Sequence, residues 1–207
     1  MRRIIPSLIA STQEELEMRL EKVRGVSSYF QLDVMDGKFV PNNSLWFNFK
    51  LPKKFKYEAH LMVADPGKWV LKNISKVDSV IIHIETVQDV NTLISLVKKK
   101  NRKIGLVLNP GTSIEEAEPY IKSVNKILVM TVDPGAYGGR FLPQVLQKIR
   151  LLRGRHPRLN IQADGGMNPV TIKKTLTAGA NEFVVGSYLQ KSINIKESVL
   201  ELKNVIR

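Results

Sequence analysis

The stretch Phe30–Asn42 reads FQLDVMDGKFVPN and places two acidic residues, Asp33 and Asp36, at the end of an otherwise apolar run. Burying an unpaired carboxylate is costly, so such a group finds a partner, binds a metal or shifts its pKa. A run that is apolar on both faces is typical of a strand in a parallel sheet covered on both sides. The stretch therefore predicts a core strand with chemistry at its carboxyl end.

Apolar runs of this kind recur along the chain, and eight can be read: IIPSLIA, YFQLDVM, YEAHLM, SVIIHI, KIGLVLN, KILVMTV, NIQAD and EFVVGS. Helical spacing fills most of the gaps, most clearly over Gln13–Arg24, Val87–Lys100, Pro143–Arg153, Pro169–Ala178 and Ile195–Ile206. Alternating strands and helices within 207 residues predict an α/β fold, a single (β/α)8 TIM barrel over residues 1–207. A doubly wound open sheet is the alternative.

The composition limits the classes of function that remain. Hydrophobic residues make up 43% of the chain, which is ample for one large core, and there is no cysteine for disulfides, thiolate nucleophiles or cysteine-based zinc sites. The apolar run at the N-terminus is too short for a signal peptide core, and no run approaches the roughly 20 apolar residues of a membrane span. We expect a soluble, cytoplasmic protein without a membrane partner.

The chain is strongly basic, with 32 Lys and Arg against 19 Asp and Glu and a net charge of +13. Such a balance raises nucleic acid as a partner. The basic residues are nevertheless spread through segments such as KLPKKFK, KKKNRK and RGRHPR, in which Phe55 is the one Phe, Tyr or Trp, so they lack the repeated interleaving of aromatic residues that base stacking requires. We therefore predict a solvated positive surface and no nucleic-acid partner.

Polar residues collect at the predicted strand ends, where a (β/α)8 barrel places its ligand chemistry. They are Ser7, Asp33 with Asp36, His60, His83 with Glu85, Asn109 and Asp164. Asp36 precedes Gly37, and this pair is also a turn signal, so we expect Asp36 to fix the turn and the following loop. Asp33 is the better candidate for work on a substrate.

Three glycine-rich loops follow the last strands: PGAYGG, DGGMNP and VGSY. Backbone N–H groups in such loops can approach an anion closely, and the last loops of the barrel often bind phosphate. A single glycine pair would be weak support, because glycine also serves turns. Three such loops at one rim predict a phosphate site.

Asp33 and Asp164 lie on well-separated strands of the predicted barrel, so their carboxylates can face each other across its mouth. That arrangement suits a two-base reaction in which a proton leaves one face of a carbon and returns on the other. A proton next to a ketone is acidic enough only if the enediolate is stabilised by a metal or by positioned donors. His60 is the nearest candidate metal ligand.

The motifs PSLIAS, LDVMDGKFVPN, AHLM, GLVLNPGT, ADGGMNP and VGS, with MTVDPG and FLPQVLQKI between them, occur in this order over nearly the whole chain. Together they resemble the ribulose-phosphate 3-epimerase family, which also includes allulose-6-phosphate 3-epimerases. The resemblance implies a metal-dependent barrel enzyme that inverts carbon 3 of a ketose phosphate, and a homo-oligomer.

The resemblance also implies roles for individual residues. Asp33 and Asp164 would be the acid–base pair and would bind a divalent ion (Zn, Fe, Mn or Mg) together with His60. Substrate contacts would come from Ser7, His60, Gly135, Gly138, Gly139, Gly165, Gly166, Gly186 and Ser187. Met35, Met62 and Met130 match apolar residues around the family's site, although each is read equally well as a core methionine.

Departures from the family's pattern put the metal in question. Gln31 stands where the family has a metal-binding histidine, and a carboxamide oxygen is a weaker ligand that favours harder ions such as manganese or magnesium. Lys38 stands where the family usually has a histidine directly after the motif MDG. The loop PGAYGGR is one residue longer than usual, so Tyr137 and Arg140 are expected to reshape the lid or contact phosphate.

Three hypotheses remain after these observations. The first is an epimerase of ribulose 5-phosphate and xylulose 5-phosphate, or of a related hexulose phosphate such as allulose 6-phosphate. The second is a barrel that binds a sugar phosphate or oligomerises without turnover, because the metal shell is altered at Gln31. The third is nucleic-acid binding through the basic surface, which a steep salt dependence of affinity would be needed to support.

Overall fold

The computed structural model describes residues 2–207 and contains eight parallel strands that close into a barrel. They are β1 (Arg3–Leu8), β2 (Tyr29–Asp36), β3 (Lys56–Met62), β4 (Ser79–His83), β5 (Lys103–Leu108), β6 (Lys126–Met130), β7 (Ile161–Asp164) and β8 (Glu182–Val185). Each strand pairs with the next, and β1 pairs with both β2 and β8. The predicted TIM barrel is therefore confirmed, and the open sheet is excluded.

Seven α-helices surround the barrel within residues 2–207. They are α1 (Gln13–Val23), α2 (Pro66–Asn73), α3 (Val90–Lys99), α4 (Val145–Arg155), α5 (Pro169–Ala178), α6 (Ser187–Lys191) and α7 (Ile195–Val205). None of these described helices is both long and apolar enough to cross a membrane. Helix α3 begins three residues after its predicted start, because the Asp89 side chain accepts a hydrogen bond from Thr92 N and caps the helix there.

Two of the connections between strands contain no α-helix. The segment 37–55 after β2 carries only a short strand, Asn43–Ser44, which pairs antiparallel with the end of β2. After β5 the chain forms two 3-10 helices, Ile114–Glu116 and Glu118–Ser123, and Pro119 lies in the second. Proline lacks the N–H that an α-helix interior needs, so the regular alternation is interrupted here.

The interior of the barrel is divided into an apolar side and a polar side. Strands β4 to β6 and the start of the loop after β6 contribute a buried apolar cluster: Ile81, Val107, Leu128, Met130 and Val132. The remaining strands, together with Lys126 at the start of β6, contribute buried and partly buried polar residues in two layers. We call Asp33, His60 and Asp164 the rim cluster, since they lie toward the carboxyl ends of their strands. We call Tyr29, Glu58, Lys126 and Glu182 the floor cluster, since they lie toward the amino ends.

Candidate active site

The rim cluster is positioned by the register of the strands. Asp33 on β2 stands beside His60 on β3, and Asp164 is the last residue of β7. Gly165 follows with φ +115°, and a Cβ there would collide with the side chain of Val132. Only glycine satisfies both the backbone conformation and the close packing at this position. The sequence ADGG therefore lets the chain turn away sharply while Asp164 stays pointed at the mouth.

The polar atoms of the rim cluster converge on one point. The potential ligand atoms of Asp33, His60 and Asp164 all lie within 4.8 Å of one another. His60 Nδ1 is 3.3 Å from Asp164 Oδ2 and 3.5 Å from Asp33 Oδ1. Gln31 Nε2 lies between these groups and donates to Asp33 Oδ1 and to Asp164 Oδ2, each at 2.7 Å. The two carboxylates therefore face a common centre from strands on different sides of the barrel.

The electrostatics of the rim favour a shared proton. Burial raises the pKa of Asp164, and the neighbouring charge of Asp33 raises it further. Burial opposes protonation of His60, but hydrogen bonding to Asp164 and Asp33 outweighs it and raises the pKa of His60 to about 9. Like charges this close resist simultaneous ionisation without a compensating cation or proton. The site is therefore poised to hold and move protons.

His83 contacts the rim cluster through the ring of His60. Its ring stacks on His60 with centroids 5.0 Å apart, and the two Nε2 atoms lie 2.9 Å from each other. Burial lowers the pKa of His83 to about 4, so its ring is neutral near pH 7 and can accept the Nε2 proton of His60. This contact leaves His60 Nδ1 facing the carboxylates. Sequence analysis places His83 at the rim, but nothing in the sequence pattern links it to His60.

A pocket opens above the rim cluster and contains most of the residues that sequence analysis proposes. Its lining includes Ser7, Asp33, Met35, His60, Met62, Met130, Gly135, Gly138, Asp164, Gly166, Gly186 and Ser187. Of the other predicted contacts, Gly165 packs against Val132, and Gly139 lines a neighbouring groove. Gln31 lies beneath the pocket and is fully buried. The catalytic and binding roles of these residues stay predictions.

Two loops meet at the edge of the pocket, and the second of them lines it. The loop after β2 meets the loop after β6, where Asn42 Nδ2 donates to Gly135 O at 2.7 Å. Tyr137 from the second loop lines the pocket and is 40% exposed, so its ring borders both pocket and solvent.

Asp36 lies at the base of the loop after β2. It accepts hydrogen bonds from the backbone N–H groups of Lys38, Phe39 and Ala64. These three contacts use both carboxylate oxygens to hold the loop against the end of β3. Asp36 thus fixes the loop rather than facing the pocket.

The donor set of the rim fits a divalent cation. Asp33, His60 and Asp164 offer two carboxylate oxygens and one imidazole nitrogen around a common centre, a combination that zinc and harder divalent ions accept. Gln31 differs from the expected fourth ligand, because it turns its amide nitrogen toward the centre and its oxygen away. An amide N–H donates and does not bind a cation, so the coordinating role of Gln31 stays a prediction.

Comparisons with known proteins agree with these features. A family model described as the ribulose-phosphate 3 epimerase family matches residues 3–190. The ribulose-phosphate 3-epimerase, cytoplasmic isoform, of Oryza sativa subsp. japonica is 36% identical over 196 residues, covering 89% of this chain and 86% of the relative. The ribulose-phosphate 3-epimerase of Aquifex aeolicus is 29% identical over 216 residues, covering 100% and 97% of the two chains.

Solved structures share the fold at low sequence identity. The protein KGPDC from Streptococcus mutans aligns with a TM-score of 0.70 at 13% identity and covers 98% of this chain and 96% of its own. A mutant tryptophan synthase α-subunit from Pyrococcus furiosus aligns with a TM-score of 0.72 at 16% identity, covering 98% of each chain. These likenesses support the barrel architecture.

Proposed function

The chain belongs to the ribulose-phosphate 3-epimerase family, and we propose that it interconverts D-ribulose 5-phosphate and D-xylulose 5-phosphate by inverting carbon 3. The observation that carries this proposal is the convergence of Asp33 and Asp164. Both carboxylates lie 2.7 Å from the same nitrogen atom, Gln31 Nε2, although they come from β2 and β7. Two carboxylates that reach one region from different strands can serve opposite faces of one carbon.

The proposed reaction is a transfer of two protons. The ionised carboxylate of Asp33 takes the proton from carbon 3, and the electron pair of the C–H bond forms a double bond to carbon 2 while the carbonyl oxygen becomes an enediolate oxygen. Protonated Asp164 then delivers its proton to the opposite face of carbon 3, and the carbonyl re-forms. The raised pKa of Asp164 suits it to act as the acid while Asp33 acts as the base, and the two residues exchange these roles in the reverse reaction.

Stabilisation of the enediolate is proposed to come from the groups around the same centre. The protonated ring of His60, which lines the pocket, can donate to a developing negative oxygen there. A divalent cation held by Asp33, His60 and Asp164 would add a positive charge beside that oxygen.

The phosphate end of the substrate is proposed to lie over the glycine-rich loops. Gly138, Gly166 and Ser187 line both the main pocket and the adjoining groove, so the two spaces are continuous at this point. Arg140 and Lys191 line the groove and supply positive charge. Backbone N–H groups beside two cations form a suitable environment for a phosphate dianion.

Proton exchange tests the proposal directly. The purified protein, incubated with ribulose 5-phosphate in D2O, should form xylulose 5-phosphate with deuterium at carbon 3, as followed by ¹H NMR. Asp33→Asn and Asp164→Asn should each slow product formation by about three orders of magnitude or more. Asp89→Asn is a matched control, because Asp89 caps α3 and asparagine is an equally good cap.

Other outcomes of this experiment separate the alternative functions. Deuterium exchange with allulose 6-phosphate but not with ribulose 5-phosphate would assign the protein to the hexulose phosphate. Binding of both sugar phosphates without exchange, with or without added Mn²⁺ or Zn²⁺, would overturn the epimerase proposal in favour of a binding protein.

We also propose that the protein acts in the cytoplasm. The rice relative is named as a cytoplasmic isoform, and no described helix could span a membrane. The predicted homo-oligomer stays a prediction, and light scattering of the purified protein measures it.

A further inference from the structure

A chain of hydrogen bonds joins the rim cluster to the floor cluster through the barrel interior. Gln162 Nε2 donates to Gln31 Oε1 at 3.1 Å and to Glu58 Oε1 at 2.5 Å. The other oxygen of Glu58 accepts from Lys126 Nζ and from the Tyr29 hydroxyl, each at 2.8 Å. Gln31, Glu58 and Gln162 are all fully buried. These side chains are therefore hydrogen-bond partners of one another.

The chemistry of the floor fixes the direction of each amide in this chain. Glu58, paired with Lys126, is a carboxylate that can only accept, so the edge of Gln162 that faces it must be the NH2 group. The same NH2 group faces Gln31, so Gln31 must present its carbonyl oxygen to Gln162. Gln31 must then turn its own NH2 group to the rim. Reversing either amide would place like groups against each other in a buried site.

We propose that Gln162 is a positioning residue that, with the Glu58–Lys126 ion pair, locks Gln31 as a double donor to Asp33 and Asp164. The Gln31 amide nitrogen thereby occupies the centre of the rim cluster, 2.7 Å from each carboxylate oxygen and 3.4 Å from His60 Nδ1. This inference rests on the proposed function, since it concerns the same acid–base pair.

In this fixed orientation, the NH2 group of Gln31 competes with a cation for the same space. The ligand atoms of the rim cluster surround the space that the Gln31 NH2 group fills, so an ion bound by all three would require the amide to turn or withdraw. Turning the amide would set Gln31 N–H groups against the NH2 group of Gln162. Gln162 cannot turn in response, because its oxygen would then face the carboxylate of Glu58. The floor of the barrel therefore opposes metal binding at the rim.

Glu58→Gln tests the proposal because it removes the carboxylate that fixes the orientation of the Gln162 amide. A glutamine at position 58 can present either edge to Gln162, so both amides above it become free to turn and Gln31 can offer its oxygen to a cation. Mn²⁺ titrated into chelator-treated protein, followed by calorimetry, should bind about tenfold more tightly to this variant than to the unaltered protein. Loss of a negative charge on its own would weaken cation binding. The expected gain in Mn²⁺ affinity is therefore the opposite of what the change in charge alone would produce.

Glu182→Gln is the matched control. Glu182 also pairs with Lys126 and loses the same charge in this variant, but the hydrogen bonds of Gln162 run to Gln31 and Glu58 instead. Its Mn²⁺ affinity should be unchanged or lower. Equal Mn²⁺ affinity in the Glu58→Gln and Glu182→Gln variants would overturn the proposal.

Two further measurements keep the inference testable if Glu58→Gln does not fold. Gln162→Met removes both polar edges at similar volume and should also tighten Mn²⁺ binding about tenfold. In the unaltered protein, saturating Zn²⁺ should shift the side-chain NH2 signals of Gln31 and Gln162 in ¹⁵N NMR spectra. Zn²⁺ binding that leaves both signals in place would overturn the proposal. These measurements use no substrate, so they succeed or fail independently of epimerase turnover.

Discussion

The rim cluster and the floor cluster both bury charged side chains in one barrel, but they are neutralised differently. At the floor, Lys126 Nζ contacts the carboxylates of Glu58 and Glu182, so the cation is built into the fold. Burial opposes the charge of Lys126, but the two carboxylates outweigh it and raise its pKa. Arg3 Nη1 also lies 4.0 Å from Glu182 Oε1, so the two carboxylates of the floor face two cations that the fold itself supplies.

The negative charges of the rim are balanced by groups that carry no fixed positive charge. Asp33 and Asp164 share the neutral NH2 group of Gln31 and the ring of His60, whose charge depends on a proton. Two carboxylates that remain only partly compensated are costly in a buried site. From this difference we expect the floor to support the fold and the rim to serve the proposed proton transfer. Changes at the two ends should therefore separate activity from stability.

The largest effect is expected at the rim. Asp33→Asn and Asp164→Asn should each lower kcat by about three orders of magnitude or more, because general acid–base groups contribute about 10²–10⁴ each. The free energy of unfolding should stay the same or rise, since one of two like charges is removed. Steady-state kinetics and urea denaturation measure the two quantities. Near-normal epimerisation by either variant would exclude the two-base assignment.

The reverse pattern is expected at the floor. Lys126→Met leaves the buried carboxylates of Glu58 and Glu182 without their cation, and breaking a buried pair in this way costs about 3–5 kcal/mol. Lys56→Met is the control, because the Lys56–Asp78 pair is largely exposed and should contribute about 0–1 kcal/mol. Urea denaturation of both variants gives the comparison. Similar losses in the two variants would show that the floor ion pair is not the support inferred above.

A third change tests substrate binding at the rim without touching its charges. A Cβ at Gly186 would lie 2.7 Å from Ser7 Oγ and 3.2 Å from Tyr137 Cε2, so Gly186→Ala should push both groups toward the pocket. We expect KM to rise about tenfold with a smaller change in kcat, since a hydrogen bond to a charged group contributes about 1.5–3 kcal/mol. Gly154→Ala, where a Cβ meets nothing within 4 Å, should leave KM unchanged. Equal KM values in both variants would show that the substrate does not bind beside Gly186.

The strands and the rim can be predicted from the sequence because their signals are local. Each strand is a continuous apolar run, and Asp33, His60 and Asp164 stand toward strand ends, where the barrel architecture demands ligand chemistry. The predicted bounds of helix α5 are the observed ones, because Asn168 and Pro169 mark its start and Gly179 its end. The connection after β5 shows the limit of such local signals, since Pro119 interrupts the regular alternation there.

The amide chain and the floor cluster cannot be predicted because they depend on register across the closed barrel. Gln31 and Gln162 are 131 residues apart in sequence, and Glu58 and Gln162 are 104 apart. Each looks like an ordinary polar residue in a strand until the barrel closes. Likewise, the sequence does not distinguish Gly139 from Gly186, although a Cβ at Gly139 would collide with Ala136 within its own loop rather than with Ser7.

The smallest expected effect concerns Glu85, a partly exposed acid that lies beside the rim and belongs to neither cluster. Burial alone would raise the pKa of Glu85, but contacts with His83, Thr112 and the N–H of Asn109 outweigh it and lower the pKa to about 2. A carboxylate whose pKa is lowered by folding contributes stability above its unfolded value, near 4.5, and loses it as the pH falls toward 2.

Glu85→Gln should therefore cost about 1 kcal/mol at pH 7, because solvent screens the charge of a partly exposed group, and this difference from the unaltered protein should shrink by pH 3 as the carboxylate contribution is lost. Urea denaturation at both pH values measures the difference, with the exposed Glu116→Gln as a control that changes little. A difference that stays constant with pH would mean that Glu85 acts through its shape and its hydrogen bonds to Thr112 and Asn109, and not through its charge. His83 stacks on His60 and lies 3.5 Å from Glu85. A loss of stability that depends on pH would therefore show that the charge of Glu85 interacts with the rim cluster through His83.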